Sequence, residues 1–397
     1  MRETAALGLG NNVDYEIKWD ARIIESLVNN YAIKSRDLES VGPIRSERDL
    51  VISTLGYMQR GTGTERYVED LKAIIDLSDR FEVVTTIGGT APRAAIAMSR
   101  IGVPASVHLV TMNDQVRKLM PRDGSWYCSS ATDSAYPHLI VQYEKGACVK
   151  AADIDITAPT STRLIYVNDP DNETMRLEPR FFENARHARV FLVSGFNAMH
   201  DGALLRARLS ELVRFLDALP DHVTVFYEDA CFHDAALQRV VVDALASRID
   251  VFSLNEDEVT GYVGERVDPR DAGSMQAALG KLHGLIPVPT LVVHTRCWAL
   301  ASGGDSGRFG AALRRGIAMA ATRFRLGDRF TREDFERTHG LPDNGEGRRF
   351  AQEIARGGED GVCCLPCKTI EEKNVTTVGL GDAFVGGFLS AMSGAGN

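Results

Sequence analysis

A carboxylate stands inside a glycine loop at Gly379-Leu380-Gly381-Asp382, and an apolar helical pattern follows it directly. The two glycines let backbone N–H groups approach a ligand closely, and the start of a helix adds unpaired donors and a partial positive charge. The pattern therefore predicts an anion cradle in which Asp382 acts as a base for a hydroxyl held beside it. On the residues alone, the alternative is that Asp382 is a plain helix cap.

Two other segments have polar groups that suit a sugar. Asn12 and Asp14 follow a predicted first strand, Ala5–Leu9, and alternate, so both side chains point the same way in an extended chain. An amide and a carboxylate on one face fit sugar hydroxyls, although an Asx-rich turn uses the same residues. Gly88 and Gly89 lie between a predicted strand and a helix, where backbone donors face a ligand at the carboxyl end of a parallel sheet. A tight turn is the alternative there.

Acidic residues end two further predicted strands. Glu228 follows Val225-Phe226-Tyr227, and Glu258 stands three residues after Asn255. Carboxylates at strand ends can hold Mg²⁺, usually through water. Asn255 and Glu258 fit a capping box equally well.

The elements that position these residues follow from the hydrophobic pattern. Apolar β-branched runs alternate with helix-period segments, which predicts βαβ units around a mostly parallel sheet. The predicted strands are Phe81–Thr86, Ser106–Val110, Leu164–Val167, Val190–Val193, Val223–Tyr227, Val251–Leu254 and Thr290–His294. The predicted helices are Pro92–Arg100, Ala203–Leu216, Asp234–Ser247 and Ala272–His283. Residues from about 123 to 177 alternate over short segments between turn clusters, which predicts a smaller subdomain of antiparallel strands.

Composition narrows the classes of function. Of the 397 residues, 44% are apolar and 25% charged, which is typical of a folded globular protein. Acidic residues outnumber basic ones by 54 to 45, and the net charge of −9 argues against a nucleic-acid partner. We expect no signal peptide, because the apolar stretch at the start is short and broken by glycine. We also expect no transmembrane helix, because no apolar run reaches about 18 residues, and the seven scattered cysteines indicate reduced thiols. We therefore expect a cytoplasmic protein without a membrane partner.

Two other patterns do not point to a site. Cys363-Cys364-x-x-Cys367 is like half of a zinc site, but no second Cys or His pair completes four ligands, so buried core side chains are the better interpretation. Gly8-Leu9-Gly10 does not continue into a dinucleotide fingerprint, because Val13 stands where the third glycine would be. A dehydrogenase is thereby excluded.

The motifs occur in a characteristic order: Asn-x-Asp, Gly-Gly, Ser-Gly-Phe-Asn, Asn-x-x-Glu, His-Thr and Gly-Leu-Gly-Asp. This order resembles the ribokinase-like superfamily, and most of all its ADP-dependent glucokinase and phosphofructokinase branch, from Gly8 to Leu389. The resemblance implies an α/β fold: a ribokinase-like αβα sandwich with a mostly parallel central sheet and a smaller β-rich lid. It divides the chain into a large domain of residues 1–15, 36–115 and 186–397 and a lid of residues 16–35 and 116–185.

The resemblance also implies roles for individual residues. Asp382 matches the catalytic base, and the N–H groups of Gly379, Leu380 and Gly381 match the anion hole. The remaining matched positions are the sugar contacts Asn12, Asp14, Gly88 and Gly89; the phosphate-binding lid arginine Arg163; His294, Thr295, Val378 and Asn255 beside the nucleotide; and Glu228 and Glu258 near Mg²⁺. The implied reaction is transfer of the terminal phosphoryl group of a nucleotide, ADP in preference to ATP, to a sugar hydroxyl.

The chain departs from the family pattern at three positions. Phe226 stands where the family often has the histidine of His-x-Glu, Thr162 precedes the lid arginine where Asn is common, and Thr90-Ala91-Pro92 replaces an amide-containing run. Glu65 resembles a glucokinase residue that contacts the sugar, which favours an unphosphorylated acceptor such as glucose, because a carboxylate repels a second phosphate. A solvated Glu at a helix start is the alternative for Glu65.

Several alternatives to an ADP-dependent glucokinase stay open. These are a phosphofructokinase; an ATP-using kinase of another sugar, a nucleoside or a sugar-containing metabolite; and a non-catalytic sugar- or nucleotide-binding homologue. For each of these alternatives we expect small-molecule partners and a monomer or small homo-oligomer.

Overall fold

The structure is a computed structural model, and it describes residues 4–39, 42–232, 234–357, 361–372, 376 and 378–394. The strands are β1 Ala5–Leu7, β2 Asn12–Ile17, β3 Thr64–Tyr67, β4 Val83–Gly88, β5 Ser106–Leu109, β6 Trp126–Cys128, β7 His138–Tyr143, β8 Cys148–Ala151, β9 Ile154–Thr157, β10 Thr162–Val167, β11 Val190–Val193, β12 Thr224–Glu228, β13 Val251–Asn255, β14 Thr290–His294, β15 Trp298–Gly303 and β16 Val362–Pro366.

The α-helices are α1 Ala21–Asn30, α2 Glu47–Arg60, α3 Leu71–Ser78, α4 Thr90–Arg100, α5 Asp114–Leu119, α6 Pro170–Thr174, α7 Pro179–Ala185, α8 Gly202–Asp217, α9 Ala235–Leu245, α10 Glu256–Val263, α11 Ala272–Leu285, α12 Gly310–Leu326, α13 Arg332–His339, α14 Gly345–Arg356 and α15 Leu380–Met392. Many begin after a residue whose side-chain oxygen accepts an N–H of the first turn. Asp201, Asp234 and Asp271 do this for α8, α9 and α11.

A large central sheet carries the strands in the order β16-β15-β14-β13-β12-β11-β1-β5-β6. The strands from β14 to β6 in this order all pair in parallel. Antiparallel pairing adds β15 and β16 at one edge. The predicted α/β fold with a mostly parallel central sheet is confirmed.

Helices cover both faces of this sheet. On β11, Val190 and Leu192 pack on the side of α4, α12 and α15, whereas Phe191 and Val193 pack on the side of α7, α8, α9 and α11. All four side chains are buried, which explains why such strands read as continuous apolar runs. The result is an αβα sandwich whose parallel strands end at a common edge.

A smaller sheet has the order β3-β10-β7-β2-β4 and mixes parallel and antiparallel pairs. One of its faces packs against α1, α2 and α3 in a separate core that includes Ile24, Leu55, Ile74 and Leu164. The hairpin of β8 and β9 contributes Val149 to the same core. The other face of the sheet carries the polar residues described below.

Strand pairing differs from the predicted organisation at β4. The predicted strand Phe81–Thr86 is observed at Val83–Gly88, and it pairs antiparallel with β2 at the edge of the smaller sheet rather than in the parallel sheet. Val84 on this edge is 55% exposed, so the apolar run does not reflect burial on both faces. β3 also lies in the smaller sheet, although the predicted division places residues 36–115 in the large domain. The division into domains stays a prediction.

The region from about 123 to 177 contains strands of three kinds. β7 and β10 pair antiparallel in the smaller sheet, and β8 and β9 form a hairpin. β6 instead extends the central sheet in parallel with β5.

Within the described residues, every helix is too short or too polar to cross a membrane.

Candidate active site

The glycine loop leads directly into α15. Gly379 precedes the first helical residue with a left-handed φ of 68°, and Leu380, Gly381 and Asp382 form the first turn, where backbone N–H groups have no partner within the helix. Asp382 is the third helical residue, so the interpretation as a plain helix cap does not hold. Its side chain is 23% exposed, which leaves the carboxylate accessible beside these donors.

Two buried arginines flank the loop. Arg323 of α12 donates from Nε to the Val378 carbonyl oxygen at 2.8 Å and is ion-paired with Asp328. Arg93 of α4 lies so close that a Cβ at Gly379 would stand 2.5 Å from its Nη1. Burial and the charge of Arg93 lower the pKa of Arg323 to about 10. The loop is therefore held between two cations.

Arg93 joins this loop to the Asn-x-Asp segment. Its Nη2 lies 2.7 Å from Asp14 Oδ2, and its Nε lies 3.7 Å from Asp382 Oδ2. Asn12 Nδ2 donates to the other oxygen of Asp14 at 2.5 Å. Burial opposes the charge of Arg93, but the carboxylates of Asp14 and Asp382 outweigh it and raise its pKa. The structure thus brings the predicted sugar residues and the predicted base to one place.

Gly88 and Gly89 border the same place. Asn12 and Gly88 are paired across β2 and β4, and a Cβ at Gly88 would stand 2.3 Å from the Asn12 amide. Gly89, with a φ of 93°, occupies the cap position of α4. This places Gly88 beside Asn12 and Gly89 beside Asn11, at an antiparallel edge strand rather than at the end of a parallel one.

Glu65 and Arg163 share a sheet face with Asp14. The strand registers put these polar residues on that face: Asn12, Asp14, Glu16, Glu65, Thr86, His138, Gln142 and Arg163. Glu65 is half-buried and lies on a strand rather than at a helix start. Arg163 is exposed, two strands across and four residues along from Asp14, a separation of roughly 15 Å.

His138 is a further residue of this face, and it belongs to none of the sequence motifs. It lies beside Asp14 in register, and its Nε2 is 3.1 Å from Asp169 Oδ2. Burial opposes its protonation, but the hydrogen bond to Asp169 and the nearby Asp14 raise its pKa. No local pattern marks His138, because it reaches Asp14 only through the parallel pairing of β2 and β7.

The strand ends on the other side of the loop carry a buried acid–histidine pair. Glu228 ends β12, and its Oε1 lies 3.0 Å from Nε2 of His294, which ends β14. The His294 ring stands 4.8 Å from the Phe384 ring of α15, and its Cε1 is 3.4 Å from where a Cβ of Gly381 would be. Burial opposes protonation of His294, but Glu228 outweighs it and raises the pKa. His294 therefore connects the carboxylate to the glycine loop.

Asn255 and Glu258 form the capping box that their spacing allows. The Asn255 side chain accepts the Glu258 N–H at 3.0 Å, and Glu258 Oε2 accepts the Asn255 N–H at 2.8 Å. Burial and the neighbouring carboxylates of Asp229 and Glu228 raise the pKa of Glu258 to about 8. Burial likewise raises the pKa of Asp229 to about 7.

This group of carboxylates fits a divalent cation. Among the described residues, the buried Oε2 of Glu228 has no hydrogen-bond partner, and His294 is the one basic group paired with this crowd of carboxylates. Oxygen donors of this kind suit Mg²⁺. The described ranges contain no set of three or more His, Cys, Asp or Glu placed to chelate a metal. A cation here would therefore keep several of its water ligands.

The other predicted residues lie in turns around this site. Thr295 follows His294 and closes the β14–β15 turn: its Oγ1 donates to the Trp298 carbonyl at 2.8 Å and accepts the Trp298 N–H.

The cysteines carry free thiols. Burial raises the pKa of Cys364 to about 12, which disfavours the thiolate that zinc binding needs.

Sequence comparison identifies one family. A model of the ADP-specific phosphofructokinase/glucokinase conserved region matches residues 3–266. That range contains the Asn-x-Asp, Gly-Gly and Asn-x-x-Glu motifs, whereas the glycine loop lies beyond it. No curated protein matches the chain by sequence.

Solved structures share the fold. A hypothetical ADP-dependent phosphofructokinase from Pyrococcus horikoshii OT3 aligns with a TM-score of 0.80 and 17% identity, over 99% of this chain and 98% of its own. An ADP-dependent kinase in complex with fructose-6-phosphate and ADPβS aligns with a TM-score of 0.76 and 15% identity, over 98% and 94%. Both alignments therefore cover more of the chain than the family model does.

Proposed function

The chain belongs to the ADP-specific phosphofructokinase/glucokinase family, and from that premise we propose that it transfers the terminal phosphoryl group of ADP to a sugar hydroxyl, with Asp382 as the base. The observation that carries this proposal is the shared contact of Arg93 with Asp382 and Asp14, at 3.7 Å and 2.7 Å. It brings a carboxylate suited to sugar hydroxyls next to a carboxylate at a helix N-terminus. Phosphoryl transfer depends mainly on such positioning and on charge neutralisation.

The acceptor hydroxyl rests on Asp382, which takes its proton as the hydroxyl attacks phosphorus. Backbone N–H groups of Gly379, Leu380 and Gly381 stabilise charge on the transferred group, because they are fixed donors at a helix start. Asn12, Asp14, Gly88 and Gly89 orient the sugar. Glu228 and Glu258 would hold Mg²⁺ through its water ligands, and the ion would supply charge neutralisation at the phosphates.

The acceptor we propose is an unphosphorylated sugar such as glucose. Glu65 and Glu16 share the sheet face of Asp14, and this local negative charge disfavours an acceptor that already carries a phosphate. The second candidate is a sugar phosphate. It is favoured by Arg163, whose guanidinium lies on the same face and suits a phosphate.

The nucleotide lies at the other side of the loop. We propose that His294, Thr295, Val378 and Asn255 border it. The smaller sheet, with α1 to α3, closes over the bound sugar and nucleotide as a lid and excludes water. Because β3 and β4 pair in this sheet, the lid we propose extends beyond residues 16–35 and 116–185 to include them.

The purified chain, incubated with Mg²⁺ and either ADP or ATP, tests the proposal against a panel of glucose, other free sugars, fructose 6-phosphate and nucleosides. We expect AMP release with ADP and an unphosphorylated sugar, and loss of this activity on chelation of Mg²⁺. Asp382→Asn is the matched control, because it removes the base and its charge but keeps the size of the side chain. We expect turnover to fall by about 10²–10⁴-fold. Full turnover in that variant points to a contaminating kinase or another base.

The same panel separates the alternatives. Turnover with fructose 6-phosphate favours the phosphofructokinase, and turnover with ATP changes the donor. Calorimetric binding of nucleotide without turnover on any acceptor supports the non-catalytic homologue.

A further inference from the structure

We propose that Arg93 is a further catalytic residue, whose guanidinium binds the phosphoryl group during transfer while it orients Asp382 and Asp14. This proposal rests on the proposed function of the site. Arg93 is part of none of the motifs discussed above, and it lies one turn into α4 after Gly89.

Burial and contacts show that Arg93 is built into the site. Its side chain is 4% exposed, and it contacts a carboxylate of the sugar site, the base and, at 4.0 Å, Glu16. Thr86, which accepts from Nη2 at 3.4 Å, donates in turn to Glu16 at 2.6 Å. The guanidinium plane is thus fixed by groups on two strands and on α15.

One donor of this fixed group is unused. Among the described residues, Nη1 of Arg93 has no hydrogen-bond partner although it is buried. It is the atom of Arg93 that faces the glycine loop, 2.5 Å from the position of a Gly379 Cβ. A buried N–H without an acceptor is unfavourable. An oxygen bound at the start of α15 provides that acceptor.

The second arginine does not play the same part. Arg323 donates its Nε to the Val378 carbonyl and pairs with Asp328, so it ties the chain before the loop to the turn that follows α12. Arg93 has its partners among the reacting groups.

The charge balance of the reaction favours a cation at this position. The acceptor O–H bond breaks and its proton passes to Asp382, while a bond forms between the acceptor oxygen and the terminal phosphorus of ADP. The bond from that phosphorus to the bridging oxygen breaks and AMP leaves. Asp382 becomes neutral on protonation, so Arg93 loses one counter-charge when the phosphoryl oxygens arrive. A hydrogen bond from Nη1 to one of them replaces it.

Steady-state kinetics of Arg93→Gln and Arg93→Lys test this role with ADP and the best acceptor. We expect Arg93→Gln to lower kcat by about 100-fold or more, as for other fixed donors to developing charge, with less than about a threefold change in KM for ADP. Arg93→Lys keeps the charge and recovers at least about tenfold of the loss. Arg208→Gln is the control: Arg208 is a partly buried arginine that contacts Glu211 and the Thr174 carbonyl, and its loss leaves kcat unchanged.

The outcomes distinguish this proposal from the proposed function. If the wild-type chain turns over and Arg93→Gln stays within about threefold of its kcat, Arg93 is not catalytic and the proposed function stands. If Arg93→Gln and Arg93→Lys lose kcat equally and both also have a lower Tm, the role of Arg93 is structural, and the proposal is overturned. A wild-type chain without turnover overturns both. If Arg93→Gln does not fold, the double variant Arg93→Gln/Asp14→Asn, which removes both charges of the ion pair, is compared with the single variant Asp14→Asn. An equal kcat in these two variants counts against the proposal.

Discussion

Gly379 combines a conformational and a contact requirement that can be measured separately. Its φ of 68° costs an L-residue about 1–2 kcal/mol, and a side chain there meets Arg93 Nη1. Gly102 has a similar φ of 79° but no heavy atom within 4 Å of its Cβ position. We expect Gly102→Ala to lower the free energy of unfolding by about 1–2 kcal/mol without changing kcat. Gly379→Ala loses more stability and at least about tenfold in kcat, because it displaces Arg93 and the loop donors.

Urea unfolding and steady-state kinetics on both variants check this prediction. Equal effects of the two substitutions on stability and kcat contradict it, because they show that the contact with Arg93 has no consequence.

Individual site residues could be predicted from the sequence only where a motif carried them. Asp382 and Asp14 have glycines or a paired amide beside them, and that local pattern indicates chemistry. Arg93 and His138 have no such neighbours. A single arginine in a helical pattern does not indicate a site. The burial of Arg93 depends on the carboxylates of Asp14, which lies 79 residues earlier, and of Asp382, which lies much later in the chain. Only tertiary pairing reveals such residues.

The same limit applies to secondary structure elements. β11, β13 and β14 were predictable because strands buried on both faces are continuous apolar runs. β4 has a similar composition but lies at an exposed edge of the smaller sheet, and composition does not encode the partner of a strand. The partner of Glu228 illustrates the same limit, because His294 comes from a strand two places along the sheet.

The ends of β12, β13 and β14 predict a pH dependence of stability. Glu258, Asp229 and His294 all have raised pKa values. A raised pKa in the folded state contributes stability that is fully present below the unfolded pKa and is lost as pH rises through the folded pKa. The window for Glu258 therefore runs from the ordinary carboxyl range to about pH 8. We expect the free energy of unfolding to fall between about pH 5.5 and 8, and Mg²⁺ to restore part of it at the upper end by compensating the ionised carboxylates.

Denaturant titrations at several pH values, with and without Mg²⁺, measure this effect. Glu258→Gln keeps a side chain that can complete the capping box and removes the titrating charge, so its stability varies less with pH and responds less to Mg²⁺. A wild-type stability that is constant or rises over the window contradicts the assignment of these carboxylates.

Across the whole molecule, a net charge of −9 coexists with a proposed site for anionic phosphates. The positive charge at the glycine loop is buried: the Arg93 and Arg323 side chains are 4% and 6% exposed. The smaller sheet contributes Asp14 to this region through β2, and the large unit contributes α4, α12 and α15. We therefore expect the acidic surface to repel ADP at long range, and attraction to act only at short range, where the smaller sheet meets α4, α12 and α15.

This arrangement predicts how ADP affinity depends on salt. At about 0.15 M ionic strength, exposed charges are screened beyond about 8 Å, whereas buried pairs are screened much less. We therefore expect KM for ADP to change by less than about threefold when KCl is raised from about 50 to 300 mM at constant free Mg²⁺. Salt weakens the contacts of ADP with exposed cations, but it also weakens the repulsion of ADP by the acidic surface, so the two effects offset each other. Arg163 is exposed, so Arg163→Gln raises KM for ADP more at low salt than at high salt. A tenfold rise of the wild-type KM over this range, abolished by Arg163→Gln, contradicts this prediction and shows instead that exposed lid cations dominate the binding of the phosphates.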